Sequence, residues 1–147
     1  MGQLFDPKYG PVVALGPFYV ANLNTALTDT DLLIANITGE TLTPGMPSAG
    51  TVVGVSAGAS AAPTAGTATF SGHSNGTEFA GGPTAVIDSV TNTVESSGLE
   101  DSARATTFAK GARLGVSATT TTNLAATTVD YRAYLYVRFD PDGAAGA

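Results

Sequence analysis

The residues that could do chemistry are few in this chain and badly placed for it. His73 is the sole histidine, so neither a histidine pair for zinc nor a His dyad can form within one copy. It stands in SGHSNGTE, where Asn75-Gly76 reads as a hairpin reversal, and a surface position in that turn is expected for it. No Gly-x-Ser-x-Gly elbow offers a nucleophile to pair with it. Asp29 and Asp31, with Glu40 nearby, resemble a fragment of a calcium loop. The glycine and closing glutamate that such a loop needs are missing, because LLIAN follows at once. Asp140-Pro-Asp142 reads as a plain turn. Gly111-Ala-Arg-Leu-Gly115 lacks the Gly-Lys-Ser/Thr ending of a phosphate loop. The expectation is a protein that is not an enzyme and that carries no cofactor and no metal.

The bulk composition agrees with a structural or binding role. The 147 residues suffice for one domain with one core. Charged residues make up 12%, about half the usual share, against 43% hydrophobic. The net charge is −6, and the six cations are scattered from Lys8 to Arg138 without forming a stripe. Phosphate neutralisation needs clustered cations, so no nucleic-acid partner is expected. Cysteine is absent, which removes disulfides, thiolate nucleophiles and Cys-type zinc sites. No run of 18 apolar residues and no secretory leader are recognisable, so no membrane partner is expected.

The elements that would position any site read as strands. PFYVANL from Phe18, LLIANI, GTVVGVSAGA, AGTATFSG, AVIDSV and the segments around Leu114 and Tyr131 are short, rich in β-branched residues, and separated by Gly/Pro/Asn/Ser clusters. The spacing predicts a single antiparallel β-sandwich or barrel over residues 18–142. In GTVVGVSAGA the alternation places Val53, Val55 and Ala57 on one face. Ser96–Gly111 reads as a loop with at most a short helix, and TTTTNLAATT as a protruding loop. Residues 143–147 read as a frayed tail. Three prolines (Pro7, Pro11, Pro17) make residues 1–17 read as an extended N-terminal arm or an edge segment. Its apolar residues Leu4, Phe5, Tyr9, Val12 and Val13 need a surface to cover.

The most regular pattern lies at VDYRAYLYVRF. Its odd positions, Val129 to Phe139, form an unbroken apolar face. Its even positions are Asp130, Arg132, Tyr134, Tyr136 and Arg138, and at the last four a solvated face would show Lys, Glu, Thr and Ser. Tyr and Arg are enriched in interface cores. The face is therefore expected to meet a neighbouring subunit, a second layer of the same chain, or solvent.

FAKGARLGVSATTTTNLAATTVDYRAYLYVRF resembles the small jelly-roll domains of tailed-phage decoration (cement), head-fibre and tail-fibre proteins. These carry a Phe-x-x-Gly-Asp-x-Leu-x-Val strand, a Thr-rich loop and a final hydrophobic strand. Phe108, Gly111, Leu114 and Val116 match, while Ala112 replaces the acidic residue. GTVVGVSAGASAAPTAGTATFSGHSNGT is similar to the companion Gly-Val strand, Pro-Thr-x-Gly turn and strand ending in Asn-Gly-Thr. The likeness runs from about Gly50 to Phe139. It implies a homotrimer on the outer capsid surface of a virion, with the major capsid protein as partner and the arm as its grip. The alternative it implies is a head-fibre or tail-fibre receptor-binding domain. The loops TPGMPSAG and TTTTNLAATT carry no aromatic residue for a ligand to stack on.

Overall fold

The computed structural model describes residues 5–6, 10–28, 30–34, 44–99 and 106–140. Among them there is no helix, and two antiparallel sheets face each other across one core. The strands are β1 (Phe5–Asp6), β2 (Gly10–Val20), β3 (Thr30–Asp31), β4 (Leu33–Ile34), β5 (Gly50–Ala59), β6 (Thr67–Ser74), β7 (Thr77–Glu78), β8 (Thr84–Asp88), β9 (Glu95–Leu99), β10 (Thr107–Phe108), β11 (Leu114–Thr120) and β12 (Tyr131–Phe139). The first sheet runs β1-β2-β12-β5-β10, with β4 also on β2 and β9 also on β5. The second runs β3-β11-β6-β7, with β8 also on β6.

Eight strands carry the topology: β2, β3, β5, β6, β8, β9, β11 and β12. Numbered one to eight in chain order, they give the sheet orders 1-8-3-6 and 2-7-4-5. Two interleaved four-stranded sheets of this kind are a jelly roll, as the resemblance implies.

The registers explain which side chains meet in the core. On β12, Tyr131, Ala133, Leu135 and Val137 point inward and are buried. They stand beside Val20, Phe18, Leu15 and Val13 of β2 and Ala59, Ala57, Val55 and Val52 of β5. The second sheet answers with Leu114, Val116 and Ala118, with Ala68 and Phe70, and with Ala85 and Ile87, all buried. The Phe70 and Tyr131 rings meet between the sheets, their centroids 5.6 Å apart. Gly72 lets the sheets close up, since a Cβ there would stand 2.8 Å from Leu135 Cδ1.

Several expectations need correcting. The sheet does not begin at Phe18. β2 begins at Gly10, and Val12 and Val13 pair with Arg138 and Val137 of β12, so both belong to the sandwich and not to a free arm. Prolines are admitted because each sits where no ladder donor is required. Pro11 stands at the strand's start. Pro17 lies in a bulge where Gly16 and Pro17 together oppose Tyr134, with Gly16 at φ +134°. A second bulge, at Val53, shifts the inward row of β5 to Val52, Val55 and Ala57. The loop expected over Ser96–Gly111 contains most of β9 and all of β10, whose pairing partners on β5 lie 37 to 58 residues upstream. The Thr-rich connector does not simply protrude, because Ala125 bridges Ala65 and Leu124 is buried. Asn75 and Gly76, at φ +51° and +81°, make the expected hairpin turn between β6 and β7. His73 precedes that turn on β6 and is buried, only 2% exposed.

Candidate functional site

The outward face of the first sheet is built by the row opposite the core row of β12. Arg132, Tyr134, Tyr136 and Arg138 share this face, as their spacing predicts. Arg132 is exposed and the other three are half-buried. The neighbouring strands set small residues beside them. On β5, Gly58, Ser56 and Gly54 stand opposite Arg132, Tyr134 and Tyr136. On β2, Tyr19 stands opposite Arg132, and Ala14 opposite Tyr136. Large side chains on a central strand flanked by small ones leave a depression on either side.

Two such depressions, of about 560 and 670 Å3, adjoin and share Gly58, Arg132 and Tyr134. The first is bounded by Ser56, Asn92, Glu95 and Tyr136. The second is bounded by Pro17, Tyr19, Ser60 and Asp130. Together they form one groove that crosses the sheet at the Arg132 end of the row.

The row divides into two unlike halves. At one end Tyr136 is tied down, its hydroxyl 3.1 Å from Ser56 Oγ. Arg138 is engaged by the fold, with its Nε shut off from solvent. At the other end the Arg132 guanidinium makes no hydrogen bond or ion pair among the described residues. It lies over Gly58, where a Cβ would stand 3.5 Å from Nε and 3.8 Å from Cγ. Glu95 is paired across Gly58 on the far side, at the first residue of β9.

The walls of the groove are held by hydrogen bonds. Asp130 N–H donates to Ser60 Oγ at 3.0 Å, and Ser60 N–H donates to the Asp130 carbonyl at 2.9 Å. The Asp130 carboxylate accepts the Asn22 N–H at 3.1 Å. Partial burial raises the Tyr19 phenol above its ordinary value, helped by the Asp130 charge and by the hydrogen bond that the phenol donates to it. At the opposite rim, the turn between β8 and β9 is organised by Asp88. Its carboxylate accepts the N–H groups of Val90, Thr91 and Asn92 at 2.7, 2.6 and 3.3 Å and the Thr91 hydroxyl at 2.7 Å. These bonds, the Thr91 hydroxyl first, hold Asp88 down at about 2. The turn carries Asn92 to the groove edge.

Of the remaining candidate residues, Leu4, Tyr9, Asp29 and Glu40 lie outside the described residues, and for Phe5 and Asp31 only the backbone is described. Among the described residues no three His, Cys, Asp or Glu side chains gather as a metal site would require. The even positions of VDYRAYLYVRF already include Asp130, whereas Tyr19, Ser56 and Glu95 are groove residues that this spacing did not reveal. The alternation of Gly54, Ser56 and Gly58 is visible in the sequence, but only the register sets that small strip beside the tyrosines. No protein-family model matches the chain, and no curated protein matches it.

Proposed function

We propose that the chain is a structural virion protein, a capsid decoration protein that binds the outer surface of a tailed-phage head and bridges major-capsid subunits. The observation that carries this reading is the part played by the motif residues in the jelly roll. Phe108 is buried at the sandwich end, edge-on to Phe139 at 6.0 Å. Gly111, at φ +84°, turns the chain between β10 and β11, where a side chain would be strained. Leu114 and Val116 then enter the core. The resemblance thus rests on residues that specify a fold, in keeping with a protein whose work is assembly.

In this reading the residues ahead of β2 grip the shell, with Leu4, Phe5 and Tyr9 as their apolar contacts, and the protein is a homotrimer. Even a few hundred Å2 of apolar surface covered by such a segment would contribute several kcal/mol, at about 25 cal/mol per Å2 before ordering costs. Many repeated sites would multiply that into a clamp on the shell.

The test is co-sedimentation of the purified protein with heads of the phage that encodes it. Full-length protein is expected to bind at a fixed ratio to capsid subunits and to sediment alone as a trimer. A chain shortened by residues 1–9, which spares β2, is expected to keep its circular dichroism spectrum and lose the heads. A full-length chain that does not bind the heads would overturn the reading.

A further inference from the structure

The geometry points to a binding site for a neutral oligosaccharide in the groove over Gly58, between Tyr19, Tyr134, Arg132 and Glu95. This inference stands on the groove alone and not on a virion setting.

Four observations select the ligand. First, the floor is the face of a sheet, and its three central strands β2, β12 and β5 spend their backbone groups on one another. No open ladder remains there for a peptide to extend. Second, the charges around the groove are one guanidinium and two carboxylates, Arg132 against Glu95 and Asp130, on a chain of net charge −6. An anionic polymer finds no net attraction there. Third, uncommitted Arg132 supplies donors, while the carboxylates, with the Ser60 hydroxyl and the Asn92 amide, add acceptors and further donors. A polyol, in which each hydroxyl both donates and accepts, uses such a mixed set. Fourth, the partly exposed Tyr19 and Tyr134 line the groove with Gly58, over which the Arg132 side chain lies. An apolar ring face beside a planar guanidinium suits the C–H face and the hydroxyls of a pyranose.

A second copy of the chain is the rival occupant, and the groove suits it less well. Stable homomeric interfaces have apolar cores. Among the described residues the exposed large apolar ones are Val90, Val94 and Tyr19, of which Tyr19 alone lines the groove.

The experiment titrates the isotope-labelled full-length protein with linear hexasaccharides of glucose, mannose, galactose and N-acetylglucosamine, and with a hexauronate, while following amide resonances. At least one neutral sugar is expected to shift Gly58, Arg132 and Tyr134 with a dissociation constant of ~0.1–1 mM, as an open, shallow site allows. Tyr134→Ala is expected to weaken it on the order of tenfold or more. Gly58→Leu, whose backbone accepts a side chain but whose floor it fills, is expected to abolish it. Lys110→Ala, in the β10–β11 turn, is expected to leave it unchanged. Binding of the hexauronate alone would overturn the proposal, as would saturable binding insensitive to Gly58→Leu. Sedimentation of the same samples decides the rival: no sugar binding, with self-association that Gly58→Leu disrupts, makes the groove an interface between copies. No sugar binding by a monomer also overturns the proposal.

Discussion

The two sheets treat their outward faces in opposite ways. On the first, the outward row holds the bulky Arg132, Tyr134 and Tyr136, and it stands open over a groove. On the second, the outward positions of β6 and β11 toward the β6–β7 turn hold Ser71, His73, Gly115 and Ser117, small or polar for the most part and all buried, while Thr67 and Thr69 further along are half-buried and Thr119 is exposed. Side-chain type alone would assign them the other way round. Exposure follows from what lies above a face, and alternation along one strand reports only that two faces differ. His73 and Ser117 are engaged in further interactions within the fold, with the His73 Nε2 shut off from solvent. The open row keeps the uncommitted groups, which is what a binding surface needs.

The inner row sets the scale for perturbing either face. Leu135 is fully buried and fills the space that Gly72 leaves on the facing sheet. Leu135→Ala is expected to destabilise the protein by about 2–5 kcal/mol, through lost transfer energy and the cavity that remains. Denaturant unfolding measures it. A loss under 1 kcal/mol would mean that the two sheets do not pack through this contact.

A pair of glycines separates the outward faces more sharply. A Cβ at Gly115 would stand 2.7 Å from His73 Cε1 and 3.1 Å from its Nε2, beneath a buried ring with little room to move. Gly115→Ala is expected to cost about 1–3 kcal/mol as overpacking. At Gly58 the same methyl meets only Arg132, at ordinary contact distances from 3.5 Å. Gly58→Ala is expected to be neutral or to stabilise by up to about 1 kcal/mol, since it narrows the unfolded ensemble without strain. Equal effects at the two sites would erase the distinction between a covered face and an open one.

The two faces were also unequally legible. On β12 every inward residue was readable, because nine residues alternate without a bulge of their own and turn signals bound them. On β5 the same reasoning misplaced Val53, since a bulge depends on the partner strand. β9 was missed because ESSGL has no alternation of strand-forming residues. It is a strand because β5 offers it an edge. His73 was misread from its polar, turn-like neighbours, for nothing in a single strand tells that a face will be covered. The groove was half visible. The tyrosine and arginine row, with Asp130 just ahead of it, showed in the spacing, whereas Glu95 and Tyr19 reach it through pairings that span 37 and 113 residues of sequence.

The smallest effect expected is at the groove rim, and it depends on pH. Asp88 is half-buried, and its carboxylate, at the surface, collects three N–H groups and one hydroxyl in the β8–β9 turn. Its folded value of about 2 lies below the ordinary 3.8. The folded state therefore binds this proton less tightly than the unfolded chain, so the turn's contribution is complete above pH 3.8. It declines as pH falls through that value and is gone once pH drops below about 2. Solvent screens a surface carboxylate, so global unfolding should scarcely register the change, and the local readout is the informative one. Amide resonances of Val90, Thr91 and Asn92 are expected to titrate together with a midpoint near 2, and Asp88→Asn is expected to abolish that titration. If the turn organises the rim, the same substitution should also loosen Asn92 and weaken any ligand held against Glu95, while leaving contacts at Tyr19 and Asp130 untouched. A midpoint near 3.8 would mean that the turn is not closed on the carboxylate, and Asn92 would then have no fixed place at the groove.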